Sequence, residues 1–355
     1  MLSSSFSFGI DTFGDVTLDS DGRPRPHAET LRHVVDDAML AEQVGIDAFA
    51  VGEHHRPDFS ISAPEVVLAA IAGRTTRLVL GSAVTVLSTD DPVRGFERFS
   101  TLNALSGGRA EVILGRGSFT ESYPLFGFDL SNYDELFEER LALFMELLKE
   151  GPVTWSGRTR SPLTAQRVYP TLEHGTLRTW IGIGGSPQSV ERSARYGLPL
   201  TIAIIGGSPQ RFRPHVDLYH RLLEQYGFAR QPIAIHSPGY VAETDDQALS
   251  DLWPHHEGMM RRIGSERGWP PPTRAQFARD AGPDGAICVG SPETVAAKIA
   301  RTAQLLELSR FNMKYSNGTL PHEQQMRSIE LFGTRVIPRV RELLATRTTA
   351  ADRSR

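Results

Sequence analysis

The chain has 355 residues, of which 40% are hydrophobic and 23% are charged, a composition that excludes extended disorder, collagen-like repetition and a disulfide scaffold. Its net charge of −4 and the lack of a long basic stretch argue against nucleic acid as a partner. A single cysteine, Cys288, and the absence of a signal-peptide pattern or a long apolar run predict a cytoplasmic protein with no membrane partner.

Short runs rich in β-branched residues alternate with longer segments of helical period along the whole chain. Predicted strands cover residues 5–10, 47–51, 77–87, 109–114, 178–183, 200–205, 233–241 and 311–315. Predicted helices cover residues 27–44, 63–74, 92–105, 133–149, 211–226, 245–264, 292–306 and 323–344, and one more ends at residue 195. Residues 151–175 suggest an irregular hairpin, and residues 264–286, with three consecutive prolines, a loop-like insertion.

This alternation predicts parallel strands whose connections are helices packed on their outer faces. About eight such units favour a closed (β/α)₈ TIM barrel with an insertion near residues 264–286, and a doubly wound open sheet is the alternative. No disordered linker divides the chain, so we predict a single domain over residues 1–345 and a disordered tail over residues 346–355.

Three junctions between a strand and a helix carry the same short motif. Gly-Gly-Ser-Pro-Gln occurs at 184–188 and 206–210, and Gly-Ser-Pro-Glu at 290–293. Serine as the N-cap with proline as the first helical residue explains all three as well-capped helices. The free N–H groups of a glycine-rich helix start can also bind phosphate, and the pattern alone leaves open which junction does so.

Two further motifs end predicted strands, where the active site of a barrel lies. Glu53-His54-His55 follows the second strand, and its spacing matches no zinc motif, although a metal-dependent barrel hydrolase remains an alternative. Leu114-Gly115-Arg116-Gly117 ends the fourth strand, where glycine admits a ligand close to the backbone and arginine binds anions. Neither a phosphate-binding P-loop nor a Rossmann fingerprint is present.

Five motifs in this order give the chain its family resemblance. They are AEQVGID at 41–47, EHH at 53–55, VLSTDDPVR at 86–94, LSGGR at 105–109 and LGRG at 114–117. The chain resembles the bacterial luciferase-like family of flavin-dependent monooxygenases, and the similarity continues through 196–199 to a closing helix at 329–336. It therefore covers nearly the whole chain.

The resemblance implies a barrel that binds FMN at the carboxyl ends of its strands. Arg116 corresponds to the arginine that holds the FMN phosphate. The turn after the fifth strand corresponds to the second contact of this phosphate, and Ala83-Val84 corresponds to a cis peptide beneath the flavin ring. His54 corresponds to the catalytic histidine, with His55 as the second choice. The cofactor-binding residues implied in this way are Ala83, Val84, Leu114, Arg116, Gly184, Gly185, Ser186 and Ser189.

The activity implied by the resemblance is the oxygenation of a small organic substrate with reduced FMN and dioxygen. Because the chain has no NAD(P)H fingerprint, we expect a separate reductase to supply the reduced flavin. Barrel geometry suggests Asp11, Phe13 and Tyr123 at the edge of the substrate pocket and residues 264–286 as a lid.

Besides the metal-dependent hydrolase, two alternatives remain open, a hydride-transferring oxidoreductase with a deazaflavin coenzyme and a flavin-binding protein without turnover. We predict no catalytic metal. The family pairs its barrels, so a homodimer or higher homo-oligomer is expected, with the apolar residues 66–72 as a candidate contact face.

Overall fold

The computed structural model describes residues 6–173 and 175–352, with side chains as far as residue 346. Eight parallel strands pair in chain order, and the last pairs with both the seventh and the first, so the sheet closes into a barrel. The predicted TIM barrel is confirmed, and the open sheet is excluded. The barrel strands are β1 Ser7–Thr12, β2 Ala48–Val51, β3 Val79–Ser82, β4 Ala110–Gly115, β5 Arg178–Ile183, β6 Leu200–Ala203, β7 Ile233–Val241 and β8 Arg310–Lys314.

Helices cover the outside of the barrel, and several begin where a side chain caps the first turn. Asp91 accepts hydrogen bonds from the N–H groups of Val93 and Arg94, and Ser291 accepts one from Thr294. The helices are α1 His27–Gln43, α2 Pro64–Ala72, α3 Pro92–Ser106, α4 Tyr133–Leu147, α5 Pro187–Arg195, α6 Arg213–Gln225, α7 Asp245–Arg267, α8 Arg274–Ala281, α9 Pro292–Leu305, α10 His322–Leu331 and α11 Ile337–Asp352.

Shorter elements complete the fold. The predicted hairpin is present as two antiparallel strands, Val153–Trp155 and Leu163–Gln166. Thr85–Val86 extends the sheet beside β4, and Cys288–Gly290 pairs with the end of β7. A π-helical turn, Phe332–Val336, joins α10 to α11, and a short helix, Ser122–Leu125, follows β4.

The two faces of each barrel strand pack differently. Outward side chains such as Phe8, Ile10 and Val112 join the large core between strands and helices. Inside the barrel, Glu111 forms an ion pair with Arg310 and accepts a hydrogen bond from the Trp180 indole. These side chains lie near the amino ends of their strands, opposite the mouth at which the motifs that follow the strands meet.

The insertion predicted near residues 264–286 is present between β7 and β8, but the prediction that it is loop-like is wrong. Helix α7 continues through Gly264 to Arg267, and α8 begins at Arg274. Thr273 caps α8 by accepting a hydrogen bond from the Gln276 N–H, and Phe277 is buried in a small core. The three prolines occupy only the connection between these helices. Their helix-breaking effect is local, and the apolar residues on either side still pack.

The end of the chain also differs from the prediction. Helix α11 continues to Asp352, into the segment for which the sequence predicts a disordered tail. The Thr346 hydroxyl donates to the Glu342 carbonyl at 2.8 Å, as in a continuing helix. Residues 353–355 lie outside the described residues.

The surface of α2 bears on two expectations about partners. Val66 is 69% exposed while Leu68 and Ile71 on the same helix are buried, so α2 presents an apolar spot to the outside. Association through this face stays a prediction. Within the described part of the chain, no helix has the length and apolar character needed to cross a bilayer.

A buried histidine in α7 predicts acid sensitivity. The ring of His256 packs against Phe277 at 5.0 Å between centroids, and its Nδ1 has no hydrogen-bond partner among the described residues. Burial lowers the pKa of His256, which Asp280 offsets only in part. The unfolded chain, with an ordinary histidine pKa near ~6.5, therefore binds the proton first.

We expect the free energy of unfolding to be highest above about pH 6.5 and to decrease as the pH falls below it, by up to ~1.4 kcal/mol per pH unit for this one group. His256→Phe should reduce that slope, measured by urea unfolding between pH 7.5 and pH 5. The exposed His27 provides the control variant His27→Gln, which should keep the wild-type slope. An unchanged slope in His256→Phe would contradict the assignment.

Candidate active site

His54 lies just beyond the end of β2, inside a box of three phenylalanine rings. Its ring centroid is 4.7 Å from Phe13, 4.7 Å from Phe59 and 4.9 Å from Phe119. The residue is 9% exposed, and its backbone N–H donates to the Ile61 carbonyl at 2.9 Å. The aromatic walls limit water around the imidazole, and the side chain is 10% exposed.

Glu121, from the loop after β4, orients this histidine. His54 Nδ1 lies 3.0 Å from Glu121 Oε1. Burial raises the pKa of Glu121, but the hydrogen bonds from His54 and from the His55 N–H outweigh burial and hold the pKa below its usual value. An ionised carboxylate only accepts hydrogen bonds, so Nδ1 carries the hydrogen and Nε2 is left for proton transfer. Nothing local in the sequence indicated Glu121 as the partner.

His55 makes a different contact. Its Nε2 lies 3.0 Å from Glu53 Oε1, and the other oxygen of Glu53 accepts a hydrogen bond from the Val86 N–H at 3.2 Å. Its ring packs edge-on against Phe126. Glu53 therefore ties the end of β2 to the segment after β3, and His55 holds the Glu53 carboxylate. This arrangement favours His54 as the residue that moves a proton.

On the other side of the mouth, two arginines converge on the start of α5. Ser189 Oγ accepts hydrogen bonds from Arg116 Nη2 at 3.1 Å and from Arg192 Nη1 at 3.3 Å. Ser186 caps the helix by accepting from the Ser189 N–H. Arg192 is buried and is also paired with Glu138. The sequence prediction missed Arg192, although its position three residues after Ser189 places both on one helix face.

The glycines before α5 open this site toward solvent. Gly185 has a φ of +109°, a conformation that side chains disfavour, and a Cβ at Gly184 would meet no heavy atom within 4 Å. His215 Nε2 lies 2.6 Å from the Gly185 carbonyl oxygen and supports the turn. Two guanidinium groups, serine hydroxyls and free N–H groups at a helix start are the donors that a phosphate group requires.

Asp134 lies at the same place. Its carboxylate is 2.6 Å from Arg116 Nη1 and 3.9 Å from Arg192 Nη2, and its side chain is 73% exposed. An anion bound by the two arginines would therefore have this exposed negative charge beside it.

The residues expected beneath the flavin ring lie between the two halves of the site. The Ala83-Val84 peptide bond is cis, as the resemblance implies. The Val84 side chain packs where Gly115 and Gly182 have no side chain, since a Cβ at these positions would lie 2.5 Å and 2.9 Å from it. Leu114, in contrast, is buried between β4 and the helices, so only its backbone could contact a cofactor.

The residues predicted for the substrate pocket have different positions. Phe13 forms a wall of the His54 box, and Asp11 lies inside the barrel in a hydrogen bond with His236. Tyr123 is fully buried, stacks on Tyr133 and donates its hydroxyl to the Arg116 carbonyl at 3.5 Å, so it supports the loop that carries Arg116.

The end of α7 covers the His54 box from outside. Arg267 lies over the Phe119 ring at 4.6 Å and donates to the Ser118 carbonyl at 2.8 Å. Arg56, also over Phe119, pairs with Glu266 at 2.6 Å. The end of α7 belongs to the predicted lid, residues 264–286, and it contacts the site through Arg267. Across the described ranges, no group of three or more His, Cys, Asp or Glu side chains is arranged to hold a metal ion.

A closed parallel barrel with two converging arginines and a histidine–carboxylate pair at one mouth places the chain among the (β/α)₈ barrel proteins. Residues 11–307 match the luciferase-like monooxygenase family, and the chain belongs to this family. It is 26% identical over 239 residues to the alkanal monooxygenase alpha chain of Photorhabdus luminescens. That match covers 67% of this chain and 65% of the relative, so the chain spans just under two thirds of that subunit.

Solved structures share the fold at low sequence identity. Monooxygenase RslO1 from Streptomyces bottropensis has a TM-score of 0.78 at 21% identity, covering 94% of this chain and 99% of that one. The oxygenating constituent of 3,6-diketocamphane monooxygenase from Pseudomonas putida, solved with FMN, has a TM-score of 0.74 at 18% identity, covering 94% and 98%. A coenzyme F420-dependent secondary alcohol dehydrogenase has a TM-score of 0.73 at 17% identity, covering 94% and 99%.

Proposed function

We propose that this protein is an FMN-dependent monooxygenase that receives reduced FMN from a separate reductase. One atom of dioxygen enters a small organic substrate, and the other leaves as water. The observation that carries the proposal is the pairing, at one barrel mouth, of an anion site at Arg116 and Arg192 with a shielded proton carrier at His54. Family membership and the FMN complex of a structural relative support it.

The residues present fit FMN. Arg116, Arg192, Ser186 and Ser189 would hold the phosphate, and Val84 would lie beneath the ring system. When bound, reduced FMN supplies the redox chemistry that activates dioxygen. The contribution of the chain is to fix this group and to exclude water from the reacting atoms.

His54 is the proposed proton carrier. With Nδ1 bound to the Glu121 carboxylate, Nε2 can accept a proton from a reacting group or, once protonated, donate one. Glu121 fixes the tautomer and stabilises the imidazolium, as a carboxylate does in a catalytic triad. Phe13, Phe59 and Phe119 surround the ring and slow the exchange of its proton with bulk water.

The proposal is tested by titrating the protein with FMN reduced anaerobically by dithionite, followed by mixing with buffer saturated with ¹⁸O₂. A panel of alkanals, ketones and phenols serves as substrates, and products are examined by mass spectrometry. We expect saturable binding of reduced FMN and one labelled oxygen atom in a product. Absence of reduced-FMN binding, or products without the label, would be evidence against the proposal.

A deazaflavin-dependent hydride transfer is the second candidate, favoured by the F420-dependent enzymes among the structural relatives. It predicts anaerobic reduction of the deazaflavin coenzyme by an alcohol and no oxygen uptake. A protein that binds flavin without turnover would give binding and no product with any substrate. Association into a homodimer and supply by a reductase remain parts of the proposal.

The proposed phosphate site predicts that removing the charge of Asp134 strengthens FMN binding. Asp134→Asn should lower the Kd for FMN by about 2–10-fold, because a carboxylate within reach of both arginines repels the phosphate in a solvent-exposed, partly screened setting. Quenching of flavin fluorescence measures the Kd. Glu135→Gln makes the same charge change at the next residue of α4, where Glu135 pairs with Arg158, and should have little effect. Weaker binding by Asp134→Asn would show that the carboxylate positions the arginines instead.

A further inference from the structure

A second histidine–carboxylate pair lies deeper in the barrel than His54. Along β1, Ile10 points to the helices, so the next residue, Asp11, points inward. Along β7, Ala234 packs inside the barrel with Trp180, and His236, two residues nearer the carboxyl end, shares that face. The pair therefore lies between the Glu111–Arg310 ion pair and the carboxyl ends of the strands.

The pair has hydrogen-bonding capacity that the protein does not use. His236 Nδ1 lies 2.9 Å from Asp11 Oδ2, whereas Asp11 Oδ1, on a residue only 1% exposed, has no hydrogen-bond partner. His236 Nε2 makes no hydrogen bond to any described residue. With Nδ1 donating to the carboxylate, both remaining atoms are acceptors. Leaving a buried carboxylate oxygen unpaired is costly, so this place calls for a ligand that donates a hydrogen bond.

The surroundings limit the kind of donor. Phe13 stacks on His236 with centroids 6.1 Å apart and an interplanar angle of 18°, and its edge meets His54. Lys314, the cation nearest Phe13, is bound by Asp15 at 2.9 Å. The described residues therefore offer a flat apolar wall and two acceptors, with no unpaired cation here to attract an anionic substrate. A ketone or aldehyde alone has no hydrogen to donate.

We infer that Asp11 and His236 bind the hydroxyl group of an aromatic substrate, a phenol, and accept its proton. The inference rests on the proposed monooxygenase function and specifies its substrate class. In this step the O–H bond of the phenol breaks, an N–H bond forms at His236 Nε2, and the imidazolium is stabilised by the Asp11 carboxylate. The phenolate that remains has a more electron-rich ring, which favours oxygenation of a ring carbon.

The test uses the full-length protein without flavin and two probes, 4-nitrophenol and its methyl ether, 4-nitroanisole. In 4-nitroanisole a methyl group replaces the hydroxyl hydrogen of 4-nitrophenol, so it cannot donate this hydrogen bond. The absorbance of 4-nitrophenol changes when it loses its proton. At a pH below that at which the free probe ionises, the wild type should bind 4-nitrophenol at least about 10-fold more tightly than 4-nitroanisole and convert it to the phenolate.

Two variants separate binding from proton transfer. Asp11→Asn should lose the phenolate spectrum, because its neutral amide does not stabilise the imidazolium. His236→Gln can still hydrogen-bond the hydroxyl and should keep binding within about 3-fold, yet it should not produce the phenolate. His33→Gln, the same change on the outer helix α1, is the control and should behave as the wild type.

The inference is overturned if the wild type binds neither probe, if it binds both equally, or if His236→Gln still yields the phenolate. Binding of reduced FMN to the same variants is measured in parallel and should stay within about 3-fold of the wild type. A protein that binds and ionises 4-nitrophenol but not FMN would refute the proposed function while leaving this site intact. One that binds FMN normally but does not discriminate between the probes would refute this site alone.

Discussion

Replacing His54 by alanine is expected to slow product formation by about 100-fold or more while leaving the affinity for FMN within a few-fold. The imidazole is the one group in the aromatic box that can carry a proton, and its Nε2 is not engaged by the described residues. The anion site lies on the other side of the mouth, and none of its contacts involves His54. A loss confined to turnover is therefore the expected signature.

Single-turnover product formation with a substrate found in the screen measures this effect, and Glu121 and His55 provide the comparisons. Glu121→Gln should cost about 10-fold or more, because the amide can hold the ring but does not stabilise the imidazolium. His55→Gln should cost less than either, since His55 contacts Glu53 on the far side of the strand end. If His55→Gln were the slowest variant, the proton carrier would have to be reassigned to His55.

The fold could be predicted from the sequence because its signals are local. Strand and helix periods, caps such as Asp91 and Ser291, and glycines that end helices all occur within a few residues of the element that they define. The error at 264–286 has the same origin. Three prolines give a strong local signal for a loop, whereas the burial of Phe277 depends on residues of β7 and α7 that a local pattern does not contain.

The residues of the site also fall into two groups, those that the sequence could locate and those that it could not. The histidines after β2 and the Gly-Arg-Gly after β4 could be located because barrel topology places strand ends at the mouth. Their partners could not be identified. Glu121 is 67 residues from His54, and Asp11 is 225 residues from His236, so these contacts exist only once the barrel has closed. Proximity to a strand end also does not determine whether a side chain such as that of Tyr123 points to the pocket or beneath the loop.

The second large effect is expected at the phosphate site. Arg116→Ala and Arg192→Ala should each weaken FMN binding by about 10–100-fold, or ~1.5–3 kcal/mol, because each removes a charge-assisted hydrogen bond to the phosphate. The double variant should lose less than the sum of the two, since both arginines contact Ser189 Oγ and hold one another in place. Arg195→Ala, one turn further along α5 on an exposed position, should leave the Kd unchanged.

Riboflavin, which lacks the phosphate, separates phosphate binding from a general disturbance of the site. If the arginines act on the phosphate, riboflavin should bind the wild type and both single variants equally, and the preference for FMN over riboflavin should fall by the full 10–100-fold. A parallel fall in riboflavin affinity would mean that the arginines shape the pocket instead. Arg192 is a buried residue of α5 and is paired with Glu138, so its removal is expected to disturb the pocket more than the removal of Arg116. The result for Arg116→Ala therefore decides the assignment.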